Sequence, residues 1–195
     1  GLTASTQAAI VVTDRPVAAL TYSGVLVTPA TLTFDGTGSS DAHGGIAVYS
    51  WAVASSTGTA CTSSSSTFSH VFPAYGTYTA TLLVTDAYGL TASTSSAFFI
   101  QSAPTVSFAL TPVVSPNVCE LNVATPFTGT ANDADGGSIA AWSWNFGDTL
   151  TSAVQNPSHT YTGTGLFTVS LTVTDDEGLT ASTQAAIVVT DRPVA

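Results

Sequence analysis

The chain has 195 residues, of which 44% are hydrophobic and only 7% are charged, against roughly 25% charged in ordinary domains. With Lys+Arg at 2, Asp+Glu at 12 and a formal net charge of −10, it lacks the basic footprint that nucleic acids and anionic membrane surfaces require. Both cations are arginines, Arg15 and Arg192, and no lysine is present for isopeptide cross-links. No apolar run approaches the roughly 20 residues of a membrane helix.

The first element is GLTASTQAAIVVTDRPVA, Gly1 to Ala18, which returns letter for letter as Gly178 to Ala195. The offset is 177 residues. An identical segment at fixed separation marks a repeat array. The segment alternates with a period of two, as a half-buried strand does. Residues 1–14 are therefore expected to be the closing strand of a preceding repeat's domain. Asp-Arg-Pro follows as a linker.

Residues 15–102 are expected to form one domain and 103–191 a second, with 192–195 as the linker to the next repeat. In the first, Ala30 to Phe34 alternates into the turn-rich DGTGSSDAHGG. Ile46 to Val53 puts Tyr49, Trp51 and Val53 on one strand face. Ser55 to Ser66 reads as a hydroxyl-rich loop carrying Cys61, and Thr62 to Thr67 within it is a candidate for O-glycosylation. Thr77 to Thr85 alternates Tyr78, Ala80, Leu82 and Val84 against Thr. The turn Asp86-Ala87-Tyr88-Gly89 leads to a last strand, Leu90 to Ile100. After Gln101-Ser102-Ala103-Pro104 the same series recurs, with Trp142, Trp144 and Phe146 on Ile139 to Phe146 and Phe167, Val169, Leu171 and Val173 on Gly165 to Thr174. About seven short strands per unit predict an all-β fold of two tandem immunoglobulin-like β-sandwiches.

The second unit carries Trp144-Asn145-Phe146-Gly147-Asp148, Asn156-Pro157-Ser158-His159-Thr160-Tyr161 and Gly165-Leu166-Phe167-Thr168-Val169-Ser170-Leu171-Thr172-Val173-Thr174-Asp175. These resemble the WDFGD, NPTHTY and GTYTVTLTVTD hallmarks of the polycystic-kidney-disease (PKD) domain family. The first unit keeps Trp51, Gly76-Thr77-Tyr78-Thr79 and Thr85-Asp86 but has Ala52-Val53-Ala54-Ser55 in place of DFGD. The resemblance implies surface-protein repeats or accessory modules of secreted enzymes, and does not choose between them. It also implies calcium: some members hold the ion where Asp133 and Asp135 share one turn and Asp175, Asp176 and Glu177 another. Several oxygen donors at one end suit an ion that takes about 6–8 ligands; a solvated acidic loop is the alternative reading. His43 replaces the second aspartate in domain one, which puts a site there in doubt.

No enzyme is expected. The G-x-S-x-G nucleophile pattern is absent, and no His/Cys metal spacing occurs. His70 and His159 sit at equivalent positions, which points to a shared structural role. Cys61 and Cys119 stand at non-equivalent places and either remain unpaired or buried thiols or pair between chains. Asn117-Val118-Cys119 is only the weak N-x-C form of a sequon. Arg15 is expected to pair with Asp41 or Asp86, and Arg192 with the matching loops of the next repeat. Tyr49 and Trp142 either grip a polysaccharide or pack into the core beside Trp51 and Trp144. The functional expectation is a structural segment of an extracellular or cell-surface filament or array, whose partners are copies of itself. The alternative is a glycan- or protein-binding accessory module of a secreted enzyme or adhesin.

Overall fold

Strand after strand, alternation carries through to burial. A computed structural model describes residue 7 and residues 12–56, 58–110 and 117–191. The expected closing strand 1–14 lies almost wholly outside the described residues, as do Arg192 and the linker 192–195. The chain divides into two units, Gly1–Gln101 and Ser102–Ala195.

Unit one contains β1 (Thr21–Ser23), β2 (Ala30–Asp35), β3 (Ile46–Ser55), β4 (Gly58–Ser63), β5 (Thr67–Phe72), β6 (Gly76–Asp86) and β7 (Thr91–Ile100). They form a three-stranded sheet in the order β1-β2-β5 and a four-stranded sheet in the order β4-β3-β6-β7. Every strand pair within these sheets is antiparallel. On β6, Tyr78, Ala80, Leu82 and Val84 point inward and are buried. They meet Leu32 and Phe34 from β2, Trp51 and Val53 from β3, and Phe98 and Ile100 from β7. Phe34 is the hub, with ring centroids 6.0 Å from Trp51 and 5.1 Å from Phe68. Trp51 keeps its indole N–H satisfied by donating to the Ser65 carbonyl at 2.9 Å, as a buried Trp must.

The stretch around Cys61 is a strand and not a loop. Gly58–Ser63 pairs with β3, with Cys61 opposite Val53. The signal was missed because Ser and Thr mimic loop composition while the backbone only needs an edge to pair with.

Unit two contains β8 (Thr105–Leu110), β9 (Val118–Glu120), β10 (Ala124–Asn132), β11 (Ile139–Asn145), β12 (Thr151–Ser152), β13 (Ser158–Thr160), β14 (Gly165–Asp175) and β15 (Thr180–Thr190). The sheets run β13-β10-β8 and β12-β11-β14-β15-β9. The added strand β9 pairs parallel with β15, Cys119 lying opposite Val189. The core gathers Phe127, Trp144, Phe146, Tyr161, Val169, Leu171, Val173, Ile187 and Val189. Trp144 donates its indole N–H to the Val154 carbonyl at 3.0 Å.

The residues 178–190 of the duplicated segment are seen here in place: β15 zips along the whole of β14, from Thr174↔Thr180 to Gly165↔Val189. The preceding turn needs a backbone that tolerates φ of 88° at Gly178, as the equivalent turn needs 87° at Gly89.

Gly129 on β10 shows how closely the sheets meet. A Cβ there would lie 2.6 Å from Cζ3 of Trp142 and 2.9 Å from the Gln155 carbonyl. Gly129→Ala should therefore destabilise unit two by about 1–3 kcal/mol through overpacking, read as a lower urea midpoint with an unchanged slope.

Candidate metal centre

The acidic end of unit two is built by two turns and the entering linker. After β10 the chain turns through Asp133 and Asp135. After β14 it turns through Asp175, Asp176 and Glu177. Ser102 enters beside them, its amide donating to Oδ2 of Asp135 at 2.6 Å. Each turn spends carboxylate oxygens on backbone: Oδ1 of Asp175 accepts the Leu179 N–H at 2.6 Å, and Oδ1 of Asp176 accepts the Ser138 N–H at 2.7 Å.

What remains is a set of buried oxygens with no partner. Asp175 is 2% exposed, and its Oδ2, Oδ2 of Asp133 and Oγ of Ser102 make no hydrogen bond. Buried carboxylate oxygens left unpaired are costly. Asp133, Asp175 and Glu177 bring ligand oxygens to within 4.8 Å of one another. Gly137 closes over them: a Cβ there would run into Oδ2 of Asp133 and Oδ1 of Asp176. Hydrogen bonding to the Asp135 carboxyl, aided by burial, raises the Asp133 pKa above its usual 3.8. Burial and the Asp176 charge raise Glu177 above 4.5. These are carboxylates that ionise reluctantly without a cation. Hard, all-oxygen donors of this kind fit Ca²⁺. Asp133, Asp175 and Glu177 would hold it, with the Ser102 hydroxyl at hand, and the ion would neutralise the cluster.

Of the four residues expected as ligands, the structure thus brings Asp133 and Asp175 together. Asp135 and Asp176 instead lend oxygens to backbone N–H groups. Glu177 completes the trio; its place in the same turn was the available signal.

The matching end of unit one is built differently. Asp41, His43 and Asp86 occupy the places of Asp133, Asp135 and Asp175. Asp86 is 3% exposed, and its Oδ1 accepts the Tyr88 and Leu90 N–H groups at 2.8 and 2.9 Å. His43 Nδ1 lies 2.7 Å from Oδ1 of Asp14. Arg15 makes neither expected carboxylate contact; its guanidinium donates to the Thr91 carbonyl at 3.1 Å. Each carboxylate spends one oxygen on backbone N–H groups of its own turn, and the other, Oδ1 of Asp41 and Oδ2 of Asp86, is buried away from the exposed Arg15.

At the other end of unit two, His159 Nε2 lies 2.7 Å from Oδ2 of Asp148, with side chains 7% and 17% exposed. The His159 ring stacks on Phe146, with centroids 4.0 Å apart and planes 1° from parallel. Tyr161 donates its hydroxyl to the Phe146 carbonyl at 3.0 Å, the role its position suggested. In unit one Ser55 stands where Asp148 does, Val53 where Phe146 does and Phe72 where Tyr161 does. A concavity of about 470 Å³ opens there beside His70. The two histidines with carboxylate partners face aspartates and no serine or cysteine nucleophile.

The cysteines do not present themselves for cross-linking. Cys119 is 2% exposed, its thiol packed in the core of unit two. Cys61 is half-buried against the core of unit one. Burial raises both thiols above their usual 9.0 and disfavours the reactive thiolate. A bond between Cys61 and Cys119 of neighbouring chains would need the second core to open. Tyr49 and Trp142 pack partly buried against the cores that hold Trp51 and Trp144.

A family model for the PKD domain matches residues 13–100 and 109–190. Collagenase ColA of Bacillus cereus is 32% identical over 83 residues, covering 37% of this chain and 9% of that protein. A microbial collagenase of Vibrio alginolyticus is 45% identical over 53 residues, covering 27% and 6%. The chain thus spans less than a tenth of these relatives. Among solved structures, the PKD1 domain of Vibrio anguillarum Epp shares 30% identity at a TM-score of 0.41, covering 47% of this chain and 99% of that one. With both matched regions falling one in each unit, the chain belongs to the PKD domain family and carries two tandem copies of it.

Proposed function

We propose that the chain is a non-catalytic structural segment, one period of a tandem array of PKD domains in an extracellular or cell-surface protein. The observation that carries this reading is the identical 18-residue segment at an offset of 177 residues. The structure adds what such a segment does, because residues 180–190 form a complete closing strand in unit two. The same residues at the chain's start would close a domain of the preceding repeat. A charge-poor surface supports exposure to solvent of variable ionic strength, since few ion pairs are there to be screened. Cross-strand hydroxyl pairs replace them, as between Thr33 and Ser69 and between Thr172 and Ser182, each at 2.8 Å.

A second reading is favoured by the relatives. They include collagenases and a pre-pro-metalloprotease, so the pair of domains could serve as an accessory module that holds an enzyme to its polymer. The two readings part on binding. Incubated with insoluble chitin or with collagen fibrils, the chain is expected to stay in the supernatant; retention of more than half of it would favour the accessory module.

A further inference from the structure

The entrances to the two domains are homologous in place and different in chemistry. Pro16 and Pro104 open the two domains, and two residues before them stand Asp14 and Ser102. In unit two the Ser102 amide is held by Asp135. In unit one the residue at the Asp135 position is His43, and it is held by Asp14. Each change compensates the other: a carboxylate has moved from the loop to the linker, and an imidazole has taken its place in the loop. Beside it Arg15 adds a second strap, to the Thr91 carbonyl at the start of β7. Because residues 1–18 and 178–195 are identical, Asp191-Arg192-Pro193 reproduces Asp14-Arg15-Pro16.

We propose that the partner of the His43 loop is a second copy of this repeat: Asp191 and Arg192 of one period clasp His43 and the Thr91 carbonyl of the next, and this junction needs no calcium. The proposal rests on the tandem-array reading. It gives the array two alternating kinds of domain entrance, one that an acidic metal centre can stiffen and one held by an Asp–His pair.

The clasp also depends on pH. The groups facing His43 are Asp14 on the linker and Asp41 in its own loop. The turn packed on this loop through Gly44 brings Ala87 and Tyr88, with Asp86 buried behind its backbone bonds. Arg15 aims elsewhere, at Thr91. The Asp14 carboxylate raises His43 above 6.5, and its hydrogen bond to His43 lowers Asp14 below 3.8. For the raised imidazole, the contribution is full below 6.5 and is lost as pH rises through its folded value. For the lowered carboxylate, it is full above 3.8 and is lost as pH falls through its folded value. The clasp is therefore fully charged from about pH 4 to about pH 6.5 and loosens above that.

The test is proton NMR titration of the histidines in this chain and in a chain extended by one further period. Both partners are about half exposed, so the variants should fold. In the present chain His43 should titrate above an unpaired imidazole, and Asp14→Asn should return it to the ordinary value. In the extended chain the second His43 should show the same elevation, Asp191→Asn should remove it there alone, and chelator should change neither. If Asp191→Asn leaves the second His43 untouched, or if chelator shifts it, the clasp is refuted. Sequencing the full reading frame separates the two ideas. A frame without a second period overturns the array and the clasp together, whereas a repeating frame with an unmoved second His43 overturns the clasp alone.

Discussion

Chelation is expected to lower the melting temperature of the second domain and to leave the first unchanged. The second domain gathers Asp133, Asp175 and Glu177 around buried oxygens that no protein group satisfies. The first also holds two carboxylates with a buried, unpartnered oxygen, Asp41 and Asp86, but it has Tyr88 where the second has Glu177, so the third ligand is missing. An ion that binds only the folded state stabilises it by about 2.7 kcal/mol at 100 times its dissociation constant. For a domain of this size that is a shift on the order of 10–20 °C. Asp175→Asn should abolish the response, since Asp175 is buried at the centre of the cluster. The pH dependence gives a second check. Asp133 and Glu177 are carboxyls raised above 3.8 and 4.5, so the metal-free fold binds their protons more readily than the unfolded chain does. The contribution of these two groups to metal-free stability should then rise as pH falls through their raised values, opposed by Asp176, which the Ser138 N–H holds below 3.8, and the calcium effect should shrink as protons compete for the same oxygens. Differential scanning calorimetry with calcium and with chelator reads both domains in one trace. Equal shifts in both transitions, or none, would count against the site.

His159→Ala should destabilise the second domain by about 3 kcal/mol, within the range for stranding one partner of a buried pair. The substitution strands Asp148 beside the core and removes the ring stacked on Phe146 at 4.0 Å. The corresponding His70→Ala should cost under about 1 kcal/mol, because among the described residues His70 shows no carboxylate partner and makes an edge contact with Phe72. Urea unfolding followed by tryptophan emission separates the two, the second domain holding Trp142 and Trp144 and the first Trp51. Equal losses would mean that the Asp148 pair contributes nothing beyond packing.

The sandwich was legible because its causes are local. Alternation along Thr77 to Thr85 and Gly165 to Thr174 predicts the buried faces of β6 and β14, and the turn residues mark where those strands end. Trp51 and Trp144 were recognisable as anchors from their place in the strand and lie at 1% and 0% exposure. The polar contacts were less accessible. Asp14 meets His43 across 29 residues, and Asp148 meets His159 across 11. Which carboxylate reaches which imidazole depends on strand register and on how each turn spends its oxygens, and neither is written in composition. Arg15 illustrates the same limit: charge alone pointed to Asp41 or Asp86, but the carboxylate oxygens left over by their turns are buried, and the guanidinium reaches the Thr91 carbonyl instead. The burial of Cys119 was not legible because β9 is a three-residue strand tucked against β15, too short to leave a pattern.

Electron microscopy of the native material tests the tandem array most directly. The long strands β6 and β14 have 11 residues each, which at about 3.3 Å per residue gives domains roughly 30–40 Å long. In the proposed array each period holds two such domains and short proline-containing linkers, and a linear string of them predicts threads of paired beads with an axial repeat on the order of 70–90 Å. Isolated particles in which one pair of beads is attached to a larger globular domain would contradict it.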